Sequence, residues 1–330
     1  MAKLDALFEV QLGLEATDAW GTEVASTVKM MGVEDITITP MITAEMEDEL
    51  RGTLQPGYRS HIRAAHGEAT MSGLLEIDDF PYLLANLGAA VAGATDAAGN
   101  FTHTFTAPTE DSDAEDARSF TLMYTDRTDT YSLLGASISE LSIEGESGGP
   151  ITYEASFMGK VVTTDVSAAL SDRVTKAAMG HMGQLWIDPG SDSVGTTEIA
   201  NQAYSFSLNY VTNRVFQTHI GNLNPSGFRE GKASGTLSLS IEASTDTYPY
   251  LDSIIGSTNT MTEKNVRLLF TAATDSMVTL DFAGVLLEAP ELYSDEDGII
   301  TLDFELTGQK NSGETSFFVA SVYSTVSTLA

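Results

Sequence analysis

The sequence predicts a mainly β protein of two tandem β-sandwich or barrel domains, residues 1–165 and 166–330, each with one short flanking α-helix. Three observations predict it. Residues 151–158 alternate with period two, placing Ile151, Tyr153, Ala155 and Phe157 on one side and Thr152, Glu154, Ser156 and Met158 on the other. That is a half-buried strand, one face in a core and one face open. The same strand returns over 299–307, with Ile300, Leu302, Phe304 and Leu306 set against Thr301, Asp303, Glu305 and Thr307. An Ile-Thr pair and a closing Gly keep one spacing in both copies, Ile151 to Gly159 and Ile300 to Gly308. Finally, Pro81-Tyr82-Leu83 with Gly88 is echoed by Pro249-Tyr250-Leu251 with Gly256, so each half carries the same short helix.

Composition agrees with a folded, two-domain chain. At 330 residues and 42% hydrophobic, each half can bury its own core. Cysteine is absent, which excludes disulfides and thiolate metal sites. The first residues hold Asp5 and Glu9 and no long apolar run, so no secretory signal is expected, and the apolar-leaning run 83–94 is too short to span a membrane. Charge is extreme: 47 acids against 16 bases, a net of −31. The lysines (Lys3, Lys29, Lys160, Lys176, Lys232, Lys264 and Lys310) are scattered, and tight nucleic-acid binding needs clustered cations. Such acidity suits a solvated surface, a protein adapted to high salt, or a surface that repels DNA.

In chain order, Gly21-Thr22 follows an acidic, small-residue start that ends in Trp20. Over 33–41, Ile36 and Ile38 alternate with Thr37 and Thr39, and Pro40 is expected to close that strand. Leu54-Gln55-Pro56-Gly57 is a turn, and 69–77 is a less regular strand. Asp78 or Asp79 is placed to cap the helix, Pro81 suits its first turn, and Gly88 its stop. The acidic, aperiodic segment 108–116 reads as an exposed loop. Alternation at Leu141 and Ile143 slips phase after Ile138, which predicts a bulge, and Glu146-Ser147-Gly148-Gly149 turns the chain into the 151–158 strand. The seam between copies falls near 163–171. Strands then follow at 184–187, 204–210 and 236–242, with a turn at 223–227. Residues 280–287 are expected to pair with the strand from Ile299 across an acidic turn, 288–298, and the tail from Ser316 is β-prone.

No catalytic constellation is present. His61, His66, His103, His181 and His219 show no metal-ligand spacing, and no phosphate loop, dinucleotide fingerprint or nucleophile elbow occurs. Residues 111–116 share acidity with a calcium loop but lack its Gly at position six and Glu at twelve. Asp295-Glu296-Asp297-Gly298 reads as a hairpin turn. Glu144 and Glu154 have the chemistry of an acid–base pair, but chance carboxylate pairs are expected in so acidic a chain. Neither a cofactor nor an enzymatic activity is expected.

Gly21-Thr22, the Pro81-Tyr82-Leu83…Gly88 helix, Phe101-Thr102-His103-Thr104-Phe105, Leu141-Ser142-Ile143-Glu144-Gly145 and 151–160 occur in an order that resembles the tail tube proteins of long, non-contractile-tailed viruses. The likeness runs through the first half and reaches the second through its echo, which lacks a counterpart of 101–105. It implies β-domains of tail-tube type, six to a ring. Each gives four strands to an inner barrel, so three two-domain chains would close a pseudo-sixfold ring. About 24 strands at roughly 4.8 Å spacing and 40° tilt give a backbone diameter near 48 Å, enough for duplex DNA.

The implied protein is a virion tail component, present in the host cytoplasm during assembly. Its partners would be its own copies, a tape measure protein, a tail terminator and distal tail proteins. Double-stranded DNA would pass through without specific binding, and no membrane is involved. On that reading the polar alternates Thr152, Glu154, Ser156, Thr301, Asp303 and Glu305 face the lumen, where carboxylates repel phosphates. Glu110, Asp111, Asp113, Glu115 and Asp116 would contact the next ring. The rival readings are a surface or adhesion β-sandwich that binds a partner, and an enzyme on a β scaffold.

Overall fold

Strands form wherever apolar and polar residues alternate in this computed structural model. It describes residues 8–16, 18–47, 59–88, 91–95, 99–109, 117–125, 129–244, 247, 262–288, 291–296, 298–327 and 329. The first strands are Glu9–Leu14 (β1), Val28–Met30 (β2), Val33–Glu47 (β3) and Arg59–Leu74 (β4), followed by helix α1, Phe80–Leu87. Then come Val91–Thr95 (β5), Phe101–Thr106 (β6), Phe120–Thr125 (β7), Thr130–Glu146 (β8), Thr152–Gly159 (β9) and Val161–Asp165 (β10). Beyond a strap over 166–179 lie Gly183–Pro189 (β11), Ala203–Val211 (β12), Val215–Gln217 (β13), Gly227–Arg229 (β14) and Ser234–Glu242 (β15). Thr262–Ala273 (β16), Ser276–Leu286 (β17), Glu291–Glu296 (β18), Ile299–Gly308 (β19) and Phe318–Ser324 (β20) complete the chain. The fold is mainly β, as predicted.

One pairing order occurs twice. In the first half β1–β7–β8–β10 makes one sheet and β3–β4–β9–β8 the other. In the second half β11–β16–β17–β20 makes one and β12–β15–β19–β18 the other. Strand β8 serves both sheets of its half by bending. Gly135 adopts φ 68°, and the register slips between Ile138 and Glu140, where the bulge was predicted. In the second half the same job is split: β17 runs out along β19 only at Gly284–Leu286, and β18 takes over. The stretch 288–298, expected to be a turn, therefore contains a strand.

Two junctions fuse the halves. Strand β8 pairs with β12, making an antiparallel sheet in the order β3–β4–β9–β8–β12–β15–β19–β18. Strand β6, from the first half, adds to β20 of the second, with β5 outside it. Phe105 on β6 stands edge-on to Tyr210 at 5.8 Å and lies against Phe318 at 5.9 Å. Buried side chains of both halves form one continuous core, from Leu12 and Leu122 through Phe157 and Tyr210 to Leu280 and Val322.

Three local expectations need correction. Pro40 does not end β3; it lies opposite Gly67 within the strand, and Pro is tolerated there because β3 is an edge strand. Asp79 sits at the helix N-cap but makes no side-chain cap bond; its carboxylate instead accepts the Met31 N–H at 2.7 Å and pairs with Arg173. Gly88 ends α1 in extended backbone rather than a left-handed turn. Its lack of a side chain matters for space, because a Cβ there would stand 2.9 Å from the Phe105 ring. The turn at 54–57 and the second helix, expected at 248–256, lie outside the described residues.

Candidate functional site

Register gathers the polar alternates of the long sheet into rows on one face. One row crosses Asp35, Ser72, Glu154, Ser142, Asn209, Thr236 and Thr307. The next crosses Leu74, Thr152, Glu144, Ser207, Ser238 and Glu305, and a third Glu146, Ser205, Ser240 and Asp303. The opposite face carries Met71, Tyr153, Phe157, Ile143, Leu208, Leu237 and Leu306, all buried.

Two features define the polar face. No Lys, Arg or His occupies any position in the three rows. Lys29, Arg173, Lys176 and Arg267 are instead engaged elsewhere, with Asp172, Asp79, Asp275 and Asp281. Within the rows, carboxylates are also kept apart by short hydroxyl and amide side chains. Glu154 lies between Ser72 and Ser142, and Glu144 between Thr152 and Ser207. Directly opposed like charges destabilise a sheet, and from β4 to β15 this spacing avoids them; at the β18 end Glu291 does stand opposite Asp303. Ser207 Oγ donates to Glu144 Oε1 at 3.0 Å and Asn209 Nδ2 to Glu140 Oε1 at 2.8 Å. The result is a polar, acidic surface, with a shallow groove between Glu144, Thr152, Ser238, Asp303 and Glu305.

Among the described residues, no three His, Asp or Glu side chains are gathered as a metal would require. His103 is buried and bonds through Nε2 to the Val326 carbonyl at 2.7 Å, as a core histidine does. No helix among the described residues is long and apolar enough to cross a membrane.

A family model described as phage tail tube protein matches residues 8–308. The chain belongs to the phage tail tube protein family. No curated protein matches it. A tail tube protein is a structural component of the virion tail and assembles with its own copies and other tail components into a tube.

In this tail tube protein the predicted lumen residues mostly share the polar face. Glu154 and Glu305 are exposed, while Thr152, Ser156 and Asp303 are half-buried. Thr301 departs from them: it is 1% exposed, whereas Ile300, expected in the core, is 47% exposed. Beside this point the register of β18 slips between Leu292 and Ser294, opposite Leu302 and Thr301. Glu110, Asp111, Asp113, Glu115 and Asp116 lie outside the described residues.

Sequence reasoning missed Glu140, Glu144, Ser207, Asn209 and Ser238 as members of this face. The alternation of β12 and β15 was visible, but only the β8–β12 junction sets it in line with β9.

The structure also shows an arm. Residues 67–74 of β4 pair with β9, but among the described residues 59–66 pair only with β3, so the β3–β4 pair runs on past the sheet. Met41, Ile42, Met46 and Ile62 are exposed along it. The β13–β14 hairpin braces its base, through Ala65 N–H to the Leu223 carbonyl at 3.2 Å and His66 against Phe216 at 5.0 Å.

Proposed function

We propose that this protein forms the tail tube of a long, non-contractile-tailed phage, with three chains to a ring and the polar face of the long sheet lining the channel. The observation that carries this reading is the polar face of the long sheet, whose three rows hold no Lys, Arg or His. Its other face is committed to the core, so in a closed ring the polar rows face inward. A negative wall does not retain a polymer bearing one charge per roughly 1.7 Å, and the genome passes through during ejection.

The repeated pairing order supports an internal duplication, with tail-tube domains at 1–165 and 166–330, although β6 crosses between them. Two fused domains then replace two subunits of a sixfold ring. The β3–β4 arm, which exposes Met41, Ile42, Met46 and Ile62 and is braced at its base, is suited to the contact between stacked rings, a role proposed for the acidic segment 110–116 as well. A tape measure protein inside the tube and terminator and distal tail proteins at its ends complete the assembly. The wider acidity suits a high-salt host as well as a repelling channel.

Native mass measurement of single rings tests the stoichiometry. Three 35.2-kDa chains per ring are expected. Six chains would place the second half outside the wall, and a protein that forms neither rings nor tubes at high concentration would overturn the reading.

A further inference from the structure

Among the described residues β13 and β14 pair only with each other, apart from the long sheet, through Val215–Arg229, Phe216–Phe228 and Gln217–Gly227. A two-stranded hairpin this short is not stable alone in water, so side-chain contacts must hold it in place. The base of the β3–β4 arm leans on it, and whatever seats the hairpin therefore also sets the arm.

Phe216 and Phe228 stand directly opposite each other, so both rings leave the hairpin on one face. They reach different parts of the first half. Phe228 meets the Trp20 ring in an edge-to-face arrangement, with centroids 6.0 Å apart, and Arg214 lies over it at 4.8 Å. Phe216 lies 5.0 Å from the His66 ring, where β4 leaves β9 to enter the arm. Beside it the Ala65 N–H donates to the Leu223 carbonyl at 3.2 Å.

Trp20 is fixed from the other side. Its Nε1 donates to Ser137 Oγ at 3.3 Å, and the next residue, Gly21, donates its N–H to the fully buried Glu15 carboxylate at 2.7 Å. Gly135, which bends β8 with φ 68°, also makes the room, because a Cβ there would stand 2.8 Å from the indole. The bend that lets β8 serve two sheets thus seats Trp20 as well.

We propose that Trp20 is a positioning residue for the arm, holding the β13–β14 hairpin through Phe228 while the hairpin holds β4 through Phe216. The consequence for assembly rests on the reading of the arm as the contact between stacked rings. Met41, Ile42, Met46 and Ile62 are exposed along an arm that, among the described residues, pairs at 59–66 only with β3. An unbraced arm points in many directions, and binding the next ring then carries the cost of fixing one of them. The brace removes that cost before the rings meet.

Hydrogen exchange of the full, unassembled chain tests the linkage. Trp20→Ala should speed exchange over 59–66 and 213–229 about tenfold, the size of one aromatic contact, and leave 152–159 and 234–242 at the native rate. Trp20→Phe keeps an aromatic ring against Phe228 and should restore native exchange. Phe216→Ala should loosen 59–66 as much as Trp20→Ala does; Phe216 lies outside the core, so this variant covers a failure of Trp20→Ala to fold. Combining the two should add nothing at 59–66, because both cut one linkage. Native exchange over 59–66 in both single variants would overturn the proposal. So would a rise spread equally over 152–159 and 234–242, which would mark Trp20 as ordinary core. Tubes of the loosened variants should be shorter by electron microscopy while single rings still form. Loosened arms with tubes of native length would leave the positioning role standing and overturn the arm as the contact between rings.

Discussion

Arg214 shows how much one side chain holds together. It is fully buried, pairs with Glu230 at 2.7 Å, and lies over the Phe228 ring at 4.8 Å. Its Nη1 donates to the Ile138 carbonyl at 3.0 Å and Nη2 to the Leu87 carbonyl at 3.2 Å. It therefore caps the C-terminal end of α1 with a positive charge and ties α1 and β8 of the first half to the segment between β12 and β13 of the second. Burial pushes its pKa down and that of Glu230 up, each partner opposing the effect on the other. Arg214→Met leaves the half-buried Glu230 without its partner and the Ile138 and Leu87 carbonyls without their donor, and should cost about 3 kcal/mol, read from the denaturant midpoint. Removing both charges, Arg214→Met with Glu230→Met, should cost clearly less. Equal losses in the single and double variants would show that packing, not the ion pair, holds this site.

At the scale of the element, the entry to α1 is the place where pH should act. Glu76, Asp78 and Asp79 lie within four residues there, and burial is the largest cause raising each pKa above its ordinary value. For Asp79, the Met31 N–H and the Arg173 guanidinium work against that rise. Asp78 is 7% exposed, and its Oδ1 has no hydrogen-bond partner among the described residues. A carboxyl raised above its unfolded value binds its proton more tightly in the folded state. The stability it contributes is complete below its ordinary 3.8 and is lost as pH rises through the folded-state pKa. Asp78→Asn, of nearly the same shape, should therefore raise the melting temperature at pH 7. The advantage should vanish in acid, where the native carboxyl is neutral too. An advantage that persisted unchanged at pH 3 would refute this account.

For the whole molecule the decisive quantity is the charge of the polar face. Glu154, Asp303 and Glu305 take no part in the core, so replacing all three with Lys should leave the sheet and the tube intact. A wall carrying these cations should hold phosphates and slow DNA release, most strongly at low ionic strength, where screening is weakest. Ejection kinetics of assembled particles measure this. Release at the native rate in dilute buffer would mean that these carboxylates do not set the channel's charge.

Local pattern determined the strands and their faces, because alternation with period two needs no distant partner to be read. The 151–158 strand, the bulge after Ile138 and helix α1 followed from residues next to one another in the chain. So did the family, through the order of short segments such as 101–105 and 141–145. The partnerships were not legible. Nothing near Phe101–Thr106 says that it leaves its own half for β20. Nothing near Ser205–Asn209 says that β8 lies beside it. The same holds for Glu15, which the sequence presents as one more surface acid. It is fully buried and accepts from Gly21 N–H, Ser119 Oγ, Thr121 Oγ1 and Gly135 N–H, donors that lie as far as 120 residues away. Strand pairing joins backbone groups that every residue carries, so the sequence states which face of a strand is wet while tertiary structure alone decides what lies beside it.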